Sequence, residues 1–208
     1  SYSFHWWLTT PGETLSPRLI WLEKNRMVHL VFFLLSLTTS LYYFIPLREQ
    51  ALWIGLAFIA TFLYTAPKIP SPFLRVLRKA AIGKTIFLAA VWTWVSTVLP
   101  VKVSGEAWTR ETTLFFISRY FFIYAICILF DFRDREYDRQ AGIRSLITWF
   151  NERQIRILFI FSLLVSALAS ALLIAFNGSL PGFLSLVLPL LPLGFLYRKA
   201  TRDYSDFF

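Results

Sequence analysis

Six apolar runs of this chain are candidates for helices that cross a bilayer: about 28–45, 51–66, 82–100, 113–130, 156–176 and 182–197. A hydrocarbon core of about 30 Å takes roughly 20 residues of helix, with a range of about 17–25. The second and last runs are short. Strands are excluded, because open sheet edges cannot be satisfied in lipid and the runs lack the alternation of a barrel. Turn chemistry separates the runs: Pro46, Pro67 with Pro70, Pro100, and then Asn177-Gly178 through Pro181-Gly182. The expected fold class is all-α, a polytopic transmembrane helix bundle of about six spans forming a single domain over residues 1–208. The chain opens on Ser1 with no signal peptide before its first span and closes on Asp206-Phe207-Phe208, so truncation at one or both ends is expected.

Charge supplies the orientation. A formal net charge of +9 would suit nucleic acid if it formed a basic face on a soluble fold. Here 57% of residues are hydrophobic and only 16% charged, and the basic residues sit between the apolar runs, so nucleic-acid binding is excluded. Seventeen of the Lys and Arg residues fall in the first, third, fifth and last connecting segments. Three fall in the alternate ones, and Arg119 lies inside a span. Positive charge gathers on the cytoplasmic side of membrane proteins, which puts the start, the 67–84 loop, the 131–156 segment and the tail in the cytoplasm. The lone cysteine, Cys127, lies within an apolar run and reads as a small apolar residue, buried or facing lipid.

The segment that points to chemistry lies just past the fourth span: Asp131-Phe-Arg-Asp134-Arg-Glu-Tyr-Asp138-Arg139-Gln-Ala-Gly142-Ile-Arg144-Ser-Leu. On a helix, offsets of 0, 3 and 7 fall within about 60° of one another at roughly 100° per residue. Three carboxylates on one face repel each other, and a divalent cation removes the conflict. Mg2+ prefers hard oxygen ligands and is commonly held by one or two carboxylates together with substrate phosphates. Arg135 and Arg139 flank the face and are suited to phosphate oxygens. The competing account is a solvated loop whose acids and arginines merely pair, at little energetic gain. Composition leaves the two level. Position favours function, because Asp131 comes directly after the apolar Cys127-Ile-Leu-Phe130 at the membrane boundary.

The run from Asp131 to Leu146 resembles the second aspartate-rich motif of the UbiA-type intramembrane prenyltransferase superfamily, DxxDxxxD and then a basic, glycine-containing stretch ending near Thr or Ser. Asp131, Asp134 and Asp138 match its carboxylates, and Gly142-Ile-Arg144-Ser145 matches the basic stretch. Tyr64-Thr-Ala-Pro-Lys68 resembles the superfamily's YxxxK motif, whose lysine helps bind diphosphate. Read from the residues alone, Tyr64 and Lys68 are also what any helix end at an interface carries. In the superfamily four helices separate two aspartate-rich loops, with YxxxK midway between them. The first four runs here reproduce that order.

The resemblance implies Mg2+ held by Asp131, Asp134 and Asp138, with diphosphate bound by Tyr64, Lys68, Arg135, Arg139 and Arg144. It implies transfer of a prenyl group from an isoprenyl diphosphate to a hydrophobic, aromatic acceptor within the membrane. The chain departs from the pattern at its first motif, and the superfamily's two helices before that motif and its ninth helix are also not seen. The first motif, NDxxDxxxD, is expected within residues 1–27, where Glu13 and Glu23 are the only acids. Either the chain starts beyond that motif, or Tyr2-Ser-Phe-His5 replaces it. A relative that binds polyprenyl or quinone-like lipids without turnover is therefore the alternative. The CDP-alcohol phosphotransferases fail, since Asp134 precedes Arg135 where their motif needs glycine. His5 and His29 read as interfacial residues, and Arg119 as structural. Phe32, Phe33, Tyr42, Tyr43, Trp92 and Trp94 are candidates either for a prenyl channel or for packing.

Overall fold

The computed structural model describes residues 20–21, 24–65, 84–140, 146–177 and 179–202. Among the described residues all regular structure is helical. Five stretches are long and apolar enough to cross a membrane: Arg26–Phe44, Thr85–Ser104, Arg110–Phe132, Glu152–Phe176 and Leu180–Thr201. The chain divides into two compact units, one ending at Arg78 and the other beginning at Lys79.

In the first unit, α1 spans Arg26–Phe44 with no buried residue. Thr38 and Thr39 donate to the carbonyls of Leu34 and Leu35, so neither hydroxyl is left unsatisfied in an apolar setting. Pro46 has no N–H to offer the Tyr42 carbonyl, which accepts instead from Ile45 at 3.4 Å, a tightened last turn. After a short 3-10 turn at Arg48–Gln50 comes α2, Ala51–Thr65. Its 15 residues occupy the expected second span but fall short of a full crossing, so five spans rather than six qualify among the described residues.

The second unit opens with α3, Lys84–Thr93, which passes through a π-helical turn at Trp94–Val98 into α4, Leu99–Ser104. Pro100, a break by its chemistry, does not end this span. The helix widens just before it, the Leu99 N–H reaching the Trp94 carbonyl, and continues to Ser104. Widening moves the preceding carbonyls away from the proline ring that would otherwise strike them. Gly105, at φ 72°, terminates α4 in the left-handed conformation that glycine adopts most readily. Thr109 then caps the next helix, its Oγ1 accepting from the Thr112 N–H at 3.2 Å.

That helix, α5, runs unbroken over Arg110–Gln140. Its 31 residues extend about 46 Å at roughly 1.5 Å per residue, well beyond a hydrocarbon core of about 30 Å. A single turn, α6 (Leu146–Trp149), leads to α7, Glu152–Asn177. Asn151 and Gln154 open α7 with reciprocal side-chain to backbone bonds of 2.9 and 3.0 Å. The last expected span is two helices, α8 (Leu180–Val187) and α9 (Leu190–Arg202), parted at Leu188-Pro189.

The core of this unit lies around α5, with Tyr124, Ala125, Ile128, Ile155, Phe159 and Leu193 among its buried residues. Small polar residues bring α5 and α7 close: Ser118 on one, Ser162, Ser166 and Ser170 on the other, all buried. Ser166 donates to the Ser118 carbonyl at 2.9 Å, and the Ser118 and Ser170 hydroxyls meet at 2.8 Å. Such contacts hold helices together where lipid removes the hydrophobic drive between them.

Candidate active site

The aspartates lie on α5. The helix continues through Asp131, Asp134 and Asp138 without a break, so these positions share one stripe, as the 0, 3, 7 spacing requires. Asp131 is buried, at 6% exposure. Its Oδ2 accepts a hydrogen bond from Thr85 Oγ1 at 2.5 Å, and Thr85 is itself only 1% exposed. The pairing arises from topology: α3–α4 and α5 are joined by the short link 105–109 and pack against each other, so the start of α3 comes level with the far end of the apolar part of α5. A buried carboxylate needs such a donor, because desolvation without a partner is costly.

Traced into the membrane, the stripe carries Cys127, Tyr124, Tyr120 and Phe116 at spacings of three and four. Tyr120 stacks on Tyr124, with ring centroids 6.2 Å apart and an interplanar angle of 4°, and on Phe116 at 6.4 Å and 14°. A ladder of aromatic faces therefore leads from the aspartates toward the middle of the helix. None of its rings is among the channel candidates that the sequence suggests, and of those Phe32, Tyr42, Tyr43 and Trp92 are exposed.

The other expected site residues are placed in part. Asp134, Arg135, Asp138 and Arg139 are on α5 and Tyr64 is in the last turn of α2, but their side chains lie outside the described residues. Lys68 and Arg144 lie wholly outside them, as does His5. Among the described residues no three His, Cys, Asp or Glu side chains group closely enough to hold a metal. Arg119 lies 12 residues before Asp131, about 18 Å along the helix. Its guanidinium sits 6.0 Å from the Phe115 ring and 5.9 Å from that of Phe122, and its Nε is buried with no hydrogen bond among the described residues. His29 meets Trp21 edge to face at 6.0 Å, the company of an aromatic belt.

A cavity of about 450 Å³ opens at the opposite end of this unit, lined by Glu111, Thr112, Phe115, Leu173 and Phe183 among others. Thr112 is 19 residues from Asp131, about 28 Å along α5, so the cavity is separate from the aspartate stripe. No motif in the sequence singles out Thr85. Its signal is topological: a hydroxyl at the start of the third span, on the membrane side where the fourth span delivers Asp131.

Comparison with known families accounts for most of the chain. The profile of the UbiA prenyltransferase family matches residues 24–206, from just before α1 to beyond α9. No curated protein and no solved structure gives a match. The chain belongs to the UbiA prenyltransferase family, whose members act as prenyltransferases within membranes.

Proposed function

We propose that the protein transfers a prenyl group from an isoprenyl diphosphate to a hydrophobic, aromatic acceptor in the membrane, with Mg2+ at the aspartate stripe on the cytoplasmic side. The observation that carries this reading is Asp131, buried and oriented by Thr85 on a helix that continues straight through Asp134 and Asp138. The donor set fits Mg2+, because three carboxylates on one stripe supply hard oxygens and a repulsion that a divalent cation relieves.

Mg2+ bound there would neutralise negative charge on the diphosphate as the allylic carbon–oxygen bond breaks. Asp131, Asp134 and Asp138 would hold it. Lys68, Arg135, Arg139 and Arg144, with Tyr64, would bind the phosphate oxygens and stabilise the electron pair that leaves with them. The acceptor forms the new bond to the prenyl carbon and gives up the displaced proton. The apolar helices, with the stacked Tyr120 and Tyr124 rings among them, would exclude water from a cationic prenyl group.

The test is binding of an isoprenyl diphosphate to the protein in detergent, with and without Mg2+. Binding that requires Mg2+ and is lost in the Asp131→Asn/Asp134→Asn double variant supports the reading. Absence of Mg2+-dependent binding in well-folded protein would overturn it in favour of a lipid-binding member without turnover.

A further inference from the structure

The cavity at the far end of the second unit, about 28 Å along α5 from the aspartates, has a lining that no motif accounts for. Its walls come from four helices, with Val101 on α4, Phe115 on α5, Leu173 on α7 and Phe183 on α8. At about 450 Å³ it falls within the range of about 300–1,000 Å³ usual for small-molecule sites. Trp108 marks its depth. That ring is 43% exposed and its Nε1 donates to Thr113 Oγ1 at 2.8 Å, so it lies beside the first turn of α5. Tryptophan gathers at the headgroup level of a bilayer, which puts the apolar walls just below that level, where lipid chains begin. Among the lining residues Glu111 alone carries a charge. Its neighbour Arg110 lays its guanidinium over the Phe176 ring, 5.5 Å from the centroid, two residues beyond the lining residue Ile174. Acid and base thus stand together at the headgroup end of an apolar cavity.

We propose that the cavity holds an acyl chain of an ethanolamine phospholipid, with the lipid's ammonium on Glu111 and its phosphate on Arg110. A primary ammonium donates hydrogen bonds to a carboxylate, and a guanidinium matches a phosphate. The quaternary nitrogen of choline has no N–H to give. A glycerol headgroup brings the phosphate's negative charge near Glu111 with no cation to offset it. An acid in the first turn also suits the dipole of α5, but a carboxylate placed only for that purpose would show no preference among headgroups.

The experiment uses the full chain, stripped of lipid in detergent and mixed with dioleoyl phosphatidylethanolamine, phosphatidylcholine or phosphatidylglycerol. Native mass spectrometry then counts the lipid that stays bound. Wild type is expected to retain the ethanolamine lipid with an affinity about tenfold above either rival, the worth of one hydrogen bond to a charged group. Glu111→Gln should still retain lipid but lose that preference. Leu173→Trp fills the cavity and should lose the lipid whatever its headgroup. Leu168→Trp adds the same bulk at an exposed position of the same helix and should behave as wild type. Equal retention of the three lipids by wild type, or of none, would overturn the proposal. An ethanolamine preference that survives in Glu111→Gln would overturn it too, as would full retention by Leu173→Trp, which would place the lipid elsewhere. Should Leu173→Trp not fold, Val101→Phe fills the cavity from α4 and is read in the same way.

Discussion

Replacing Ser166 separates two accounts of how α5 and α7 are held. Ser166 is fully buried and donates to the Ser118 carbonyl at 2.9 Å. Ser166→Ala removes that bond together with the longer, 3.4 Å contact between the Ser118 and Ser166 hydroxyls. Hydrogen bonds between helices in membranes average about 0.6 kcal/mol, with a maximum near about 1.7, so a loss of about 0.6 kcal/mol is expected. Ser166→Leu removes the same bond and also adds bulk where there is no free surface. Overpacking of that kind costs about 1–3 kcal/mol, so the leucine variant should be the less stable by at least about 1 kcal/mol. If apolar area drove the pairing, leucine would instead stabilise it. Leu168, 62% exposed on the same helix, serves as the control, and Leu168→Ala should change stability by less than about 0.5 kcal/mol. Reversible unfolding in mixed micelles, monitored by circular dichroism, reads all three. A Ser166→Leu variant as stable as wild type would refute close packing as the source of the contact.

Other expectations rest on single features. Gly105 has φ 72° and open space around its missing Cβ, so Gly105→Ala should cost about 1 kcal/mol through backbone conformation alone and Gly105→Asn less, measurable in the same unfolding assay. Arg119→Met removes the buried Nε–H that makes no hydrogen bond among the described residues, and should raise stability by about 1 kcal/mol while leaving Mg2+-dependent diphosphate binding intact; loss of that binding would show that Arg119 serves the site. Cys127 is buried and should resist a membrane-impermeant maleimide, so single cysteines can be added directly. In intact cells Glu106→Cys should label at once and Arg153→Cys only after permeabilisation, and the reverse pattern would invert the expected orientation.

The spans are legible because lipid leaves the chain few options: the run 28–45 corresponds to Arg26–Phe44, and Pro46 closes it through its missing N–H. The helical spacing of Asp131, Asp134 and Asp138 is legible for the same reason, since a periodic pattern needs only local geometry. Prolines are harder to read. Pro100 has the chemistry of a stop but is carried by a widened turn, and Pro189 divides a span whose apolar pattern is continuous. Both outcomes depend on what packs beside the proline, which spacing along the chain does not convey. The partnership of Thr85 with Asp131 spans 46 positions and exists only once two helices are laid side by side. The serines of α7 recur every fourth residue, a small-residue pattern present in the sequence but silent until Ser118 faces it.

The widened turn at Trp94–Val98 also resolves a problem of phase. Thr85, Ala89, Thr93 and Thr97 are all buried at four-residue intervals. On an α-helix each such step rotates the buried stripe by about 40°, so three steps would carry it roughly 120° around the helix. The π turn inserts one residue, worth about 100° in the opposite sense, and nearly cancels that drift. A buried stripe that would otherwise wind away from the neighbouring helix thus returns, beyond the turn, close to the phase at which it began. Deleting one residue between Trp94 and Val98 would give a smoother helix and a poorer fit, because either Thr85 or Val101 would turn away by about 100°.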